Sequence, residues 1–201
     1  MSNIMGSRIM HYCISSLINE KLKLREDQFL LGGLAPDLNK YMNQPKSISH
    51  FAKHDSEGLF YIDYDAFFDK YLVNHKSPFH IGYYFHLISD EVWIREIYMK
   101  KIKWLPSEEK KEAQQKYYRD FWRLNGKLID YYSIELKQLI AEPFEIDEID
   151  CRYLPGLIND ISQDFEFMND AKGESLEILE FEEVLEVIDE STRRCVVEFI
   201  R

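Results

Sequence analysis

Glycine and proline are scarce in this 201-residue chain, at 8 and 6 residues. So few turn formers argue against many short strands and favour long helices. Cysteine is scarcer still: Cys13, Cys151 and Cys195 stand far apart, their number is odd, and no CxxC pair occurs. That pattern suits reduced thiols and a cytoplasmic location. The first ten residues hold no basic stretch followed by an apolar run, so no signal peptide is expected. No window approaches the apolar length that spans a bilayer. Positive charge is in deficit, with 25 Lys and Arg against 36 Asp and Glu and a net charge of -11. A polyanion would be repelled, so no stable nucleic-acid binding is expected. A small phosphate-bearing substrate is still compatible, because bound cations reverse the local field.

What is present is a globule's composition. Hydrophobic residues make up 45% and aromatic residues 14%, and this length suits one domain with one core. Helical spacing of apolar positions marks 6–22, with His11 on the same face as Ile14 and Ile18. Asp27 is a candidate cap for a short helix closed by Gly32, Gly33 and Pro36, and 39–56 reads as a loop. A helix is expected over 64–74. The clearest one opens at Pro78 and runs to about Trp104. Another starts near Ser107 and continues past Asn125-Gly126, with a bend, towards Ile140. After a connection over 142–151, helices are expected over 154–168 and 175–200. The expected fold is therefore all-α, a single domain over 1–201. Its first half, 1–105, carries the chemistry; its second half, 106–201, is acidic and helical. From Glu142 to Glu190 the only basic residues are Arg152 and Lys172.

The histidines fall unevenly: His11, His50, His54, His75, His80 and His86, with none after that. His86 and Asp90 are four apart on the clearest helix and so share a face. Imidazole and carboxylate are usual ligands for zinc or a similar divalent ion. An Asp among Phe85, Leu87, Ile88 and Trp93 would be costly to bury without a partner, and a metal is one such partner. A simple His–Asp hydrogen bond or an exposed face would also explain the spacing. His11 alone reads as a core histidine, Asp37 alone as a turn residue, and His50 alone says little. Together, His11, Asp37, His50, His86 and Asp90 make a donor set able to saturate one metal and leave room for a water or a second ion.

Four blocks carry a resemblance: Met5-Gly6-Ser7-Arg8-Ile9-Met10-His11, Phe29-Leu30-Leu31-Gly32-Gly33-Leu34-Ala35-Pro36-Asp37, Ser49-His50-Phe51, and Gly82-Tyr83-Tyr84-Phe85-His86-Leu87-Ile88-Ser89-Asp90. In order and spacing they resemble the zinc-dependent phospholipase C family, most closely its bacterial cytosolic branch. The resemblance implies a multi-helix bundle of the phospholipase C and zinc nuclease type, with metal in a cleft between helices. It implies Asp37, His50 and His86 as ligands of one ion, Asp90 as a bridging carboxylate, and His11 towards a second ion. Secreted members use an N-terminal Trp and further histidines downstream. This chain has no Trp before His11 and no histidine after His86, so one or two zinc ions are expected rather than three.

The expected function is a metal-dependent hydrolase of a small phosphoester, whether phosphodiester, phospholipid or nucleotide, acting through a metal-activated water. Asp37 is the candidate to orient or deprotonate that water, by its position in the family. Lys40, Lys46 and Lys53 flank the loop ligands, and Tyr41, Phe51, Phe60, Tyr61, Tyr64, Tyr83 and Tyr84 supply aromatic surface nearby. Two other readings stand beside it. One is a metal-stabilised binding or scaffold protein without turnover. The other is an HD-type phosphohydrolase built on His54-Asp55.

Overall fold

The structure is a computed structural model describing residues 5–73 and 77–200; His75 and the end of the helix expected over 64–74 lie outside them. Helix α1 is Arg8–Leu22. Ser7 caps it by accepting the Met10 N–H, and Lys23, at φ 53, closes it by donating to the Asn19 carbonyl. Helix α2 is Glu26–Gly32. It starts one residue before Asp27, which therefore does not cap it; that carboxylate pairs instead with Arg25 at 3.0 Å. A 3-10 turn, Ala35–Lys40, carries Asp37, and the short α3, Lys46–Ser49, precedes His50.

The expected loop over 39–56 is only partly a loop. Strand β1, Ala52–His54, pairs antiparallel with β2, Phe60–Ile62, in the register Ala52↔Ile62, Lys53↔Tyr61 and His54↔Phe60. Phe51 reverses the chain at φ 51, and Asp55 Oδ1 shapes the hairpin turn by accepting the N–H groups of Glu57 and Leu59. Strands of three residues are too short to show an alternating pattern. Helix α4, Tyr64–Phe67, follows and continues in π-helical turns over Phe68–Leu72.

Helix α5, Pro78–Trp93, begins with Pro at its first turn and runs on in π-helical form over Ile94–Lys103. Every residue from Phe79 to Trp93 is buried, which makes α5 the central helix. It lies against α2 almost backbone to backbone. A Cβ on Gly82 would overlap the Phe29 carbonyl, and one on Gly32 would overlap the Phe79 carbonyl. Any other residue at either position would push the helices apart.

Helix α6, Ser107–Tyr132, passes through Asn125-Gly126 but stops well short of Ile140. Ser133, at φ 52, turns the chain, and the Tyr12 hydroxyl then takes up both the Glu135 carbonyl (3.3 Å) and the Lys137 N–H (2.8 Å), so 133–140 stays irregular. A 3-10 turn, Cys151–Tyr153, leads into α7, Leu154–Glu166. The last helix, α8, is Phe181–Ile200, starting later than Ser175. The delay has a cause: the buried Asp120 carboxylate accepts the N–H groups of Glu177, Ile178 and Leu179, which fixes that stretch in a non-helical form.

Apart from the hairpin the fold is all-α. One contiguous apolar cluster runs from Met5 to Cys195, with α5 packed against α1, α2 and α8. Among the described residues no helix is long and apolar enough to cross a membrane.

Candidate metal centre

The five donors expected from the sequence come together, three of them from helices and two from the turns between. His11 projects from α1, Asp37 from the 3-10 turn, His50 from the end of α3, and His86 and Asp90 from one face of α5. His11, His50, His86 and Asp90 are buried, and Asp37 keeps 14% of its side chain exposed. The His86 ring stacks on His11, with centroids 3.7 Å apart, and meets His50 edge-on at 5.1 Å.

Each imidazole is held through Nδ1. His86 Nδ1 donates to the Gly33 carbonyl at 2.8 Å, a contact that the close approach of α2 and α5 makes possible. His50 Nδ1 lies 3.1 Å from the Lys46 carbonyl and 2.9 Å from Ser49 Oγ. His11 Nδ1 lies 3.0 Å from Ser89 Oγ, whose own proton goes back to the Phe85 or His86 carbonyl. A carbonyl only accepts, and the Ser89 proton is already committed, so the network assigns the ring proton to Nδ1. Each Nε2 then presents a lone pair to the centre.

Those lone pairs face carboxylate oxygens. His86 Nε2 is 3.3 Å from Asp90 Oδ2, and His50 Nε2 is 3.6 Å from both Asp90 Oδ2 and Asp37 Oδ1. The His50 and His86 Nε2 atoms are 3.2 Å apart, and His11 Nε2 is 3.1 Å from Asp90 Oδ1. His11 Nε2 and Asp90 Oδ2 find no hydrogen-bond donor although both are buried. The Gly6 N–H does reach Asp90 Oδ1, at 3.1 Å.

Burial and neighbouring charges pull on these groups in opposite directions. Burial, and then the neighbouring His86, push the His11 ring below its usual range. Burial and the Lys46 ammonium push His50 down to about 4. Burial alone would raise Asp37, but Lys46 at 3.0 Å and the His50 ring hold it well below the carboxylate range. Asp90 is likewise held ionised against burial by the His11 and His86 rings. These buried carboxylates need a positive partner, and either ring protons on Nε2 or a cation bound between the donors supplies it.

The spacings fit one. Donors on a tetrahedron with bonds of about 2.0–2.1 Å stand roughly 3.4 Å apart, and the measured separations lie between 3.1 and 3.6 Å. His11, His86 and Asp90 form one cluster of three, and Asp37, His50 and His86 another. Three nitrogens with carboxylate oxygens match zinc or a similar ion better than calcium or magnesium.

His80 and His54 lie outside the cluster. His80 is held by Ser77 Oγ (2.6 Å) and the Glu145 carbonyl (3.2 Å), which ties α5 to the irregular segment after α6. His54 is exposed on β1, and Asp55 is engaged in the hairpin turn, so this HD pair is not part of the buried centre. What sequence reasoning missed is the set of groups that aim the rings: Ser89, the Gly33 and Lys46 carbonyls, and the Gly6 amide. Only Ser89, one residue from Asp90 on the same helix, left a side-chain signal. Compared with known proteins, the chain matches no family model, no curated protein and no solved structure.

Proposed function

We propose that this protein is a metal-dependent phosphoester hydrolase, built on a bundle of the zinc-dependent phospholipase C type, with zinc as the favoured ion. The observation that carries the reading is the buried convergence of acceptors: three Nε2 lone pairs and the Asp90 and Asp37 carboxylates, with Nδ1 protons turned outwards. A cation is the partner that would satisfy all of these acceptors together. His11, His50, His86, Asp90 and Asp37 would hold it, one or two ions in all. The metal's contribution there is to generate a nucleophile from water near neutral pH and to neutralise charge on a phosphoryl oxygen.

The chain's own residues supply the rest. Asp37 is the least buried of the five and borders an open cavity. It is placed to orient a water and to receive its proton. Lys46, 3.0 Å from Asp37, brings positive charge to the same edge, where a phosphoryl group would sit. The Ser89, Gly33 and Lys46 anchors keep the rings in one tautomer and one direction. The likeness of the four sequence blocks to zinc-dependent phospholipase C supports the same reading.

Elemental analysis of purified protein tests it. One to two equivalents of a transition metal are expected. His86→Ala should lose most of that metal, and His54→Ala should keep it. An ion held at 100 times its dissociation constant adds about 2.7 kcal/mol, so chelation should lower Tm by roughly 5–11 °C. Metal-free protein with a Tm indifferent to added zinc would end the proposal. Bound metal without turnover on any phosphoester would leave a metal-stabilised scaffold instead.

A further inference from the structure

A cavity of about 590 Å³ opens beside the centre, with Asp37 on its edge. That is the size of a small-molecule site. Its lining departs from the rest of the molecule in two ways. The first is charge. Arg8, Lys40 and Lys46 gather on it, with Asp37 and Asp164 in the lining and Asp160 behind, in a chain whose net charge is -11. Asp37 itself is one of the donors in the metal centre. Arg8 is held in direction by Asp164, at 2.9 Å, and by Asp160, at 3.6 Å, both on α7. Lys40 is paired with Asp160 as well. Burial and the nearby Arg8 push the Lys40 ammonium down to about 8, as expected where two cations are crowded together.

The second departure is aromatic. Tyr118 and Trp122 of α6 are one turn apart and share a face. They line the cavity while keeping 37% and 46% of their surface exposed. Exposed aromatic faces beside a cationic pocket suit a flat ring. They suit an acyl chain less well, because Ser7, Asn39, Gln44 and Asn125 share the lining with them.

We propose that this cavity selects phosphomonoesters of ring-bearing alcohols. The terminal phosphate sits between Arg8, Lys40, Lys46 and the metal centre, and the ring lies on Tyr118 and Trp122. The proposal rests on reading the centre as a phosphoester hydrolase. A monoester carries close to two negative charges at neutral pH, whereas a diester carries one; Asp37, Asp160 and Asp164 balance the three side-chain cations, and the charge of the proposed metal centre beside them favours the former. In the reaction, the oxygen of a water forms a new bond to phosphorus while the ester P–O bond breaks. The electron pair of that bond stays on the leaving oxygen, which gains a proton from the water. The products are inorganic phosphate and the free alcohol.

The test uses zinc-loaded full-length protein with metal content measured on every sample. Three substrates are compared: p-nitrophenyl phosphate, bis(p-nitrophenyl) phosphate and methyl phosphate. The expected kcat/KM for the aryl monoester exceeds that for the aryl diester at least tenfold. Lys40→Ala should cut that ratio at least fivefold. Trp122→Ala should raise KM for the aryl monoester at least five times more than for methyl phosphate. Both side chains are substantially exposed, so neither variant should disturb folding. Metal-loaded protein that prefers the diester, or whose Trp122→Ala variant treats aryl and methyl esters alike, overturns this inference alone. Protein that binds no metal, or binds metal and turns over nothing, overturns the reading beneath it, and the inference falls with it.

Discussion

Asp90 is the residue on which the centre turns. It is fully buried, one oxygen is met by the Gly6 amide and His11, and the other faces His50 and His86 with no donor. Without a cation this is a repulsive arrangement, and relieving it should stabilise the protein. Asp90→Asn replaces one acceptor by an NH2 group and removes a buried charge. In chelator, Asp90→Asn is therefore expected to be more stable than the parent by about 1–3 kcal/mol in urea unfolding, while its metal content collapses. A metal-free Asp90→Asn protein less stable than the metal-free parent would show that the acceptors were already satisfied by protons. His86 and Asp90 were readable from their spacing on one helix and His11 from its apolar face, whereas Asp37 and His50 said little alone and were picked out by the combination and by the resemblance of their sequence blocks. Their anchors were not, because the carbonyls of Gly33 and Lys46 belong to every residue type and carry no sequence signal until the chain is folded.

At the scale of elements, long periodic segments were legible and their ends were not. Helices α1, α5 and α7 follow from apolar spacing, the Pro at the start of α5, and the polar breaks between them. The start of α8 was hidden because it is set from a distance. Asp120 on α6 reaches across more than fifty residues to hold three successive amides, and Arg123 steadies it at 3.2 Å. Asp120→Ala leaves those amides without acceptors and should cost about 3 kcal/mol in urea unfolding, with metal content unchanged. A loss below about 1 kcal/mol would mean that water replaces the carboxylate. The early end of α6 has the same kind of cause, since Tyr12 on α1 captures the chain beyond Ser133. The hairpin was missed for lack of length, and its turn is directed by a single side chain, Asp55.

Over the whole molecule, acidity is balanced locally by arginine. Glu190 is held down to about 2 by hydrogen bonds from Arg193 and Arg194, and Glu177 to about 2 by Arg119 and Arg123. A carboxylate whose folded value lies below its ordinary 4.5 stabilises the fold above that value, and the contribution drains away as pH falls towards 2. The stability of the parent should therefore fall through this window. A Glu177→Gln, Glu190→Gln double variant should show a shallower decline in Tm from pH 4.5 to pH 2. Parallel curves for the two proteins would show that these contacts are too solvated to matter. The tethering of the three imidazoles acts at this scale too, because their anchors lie on α2, α3 and α5, which the packed core holds as one unit. The anchors orient the rings in the folded chain without an ion, so the ion of the proposed centre would spend little on ordering its ligands. Such a socket would also act as a gauge: a calcium ion, with bonds of about 2.3–2.6 Å and six or more oxygens, would need the donors to spread, whereas the proposed zinc would not.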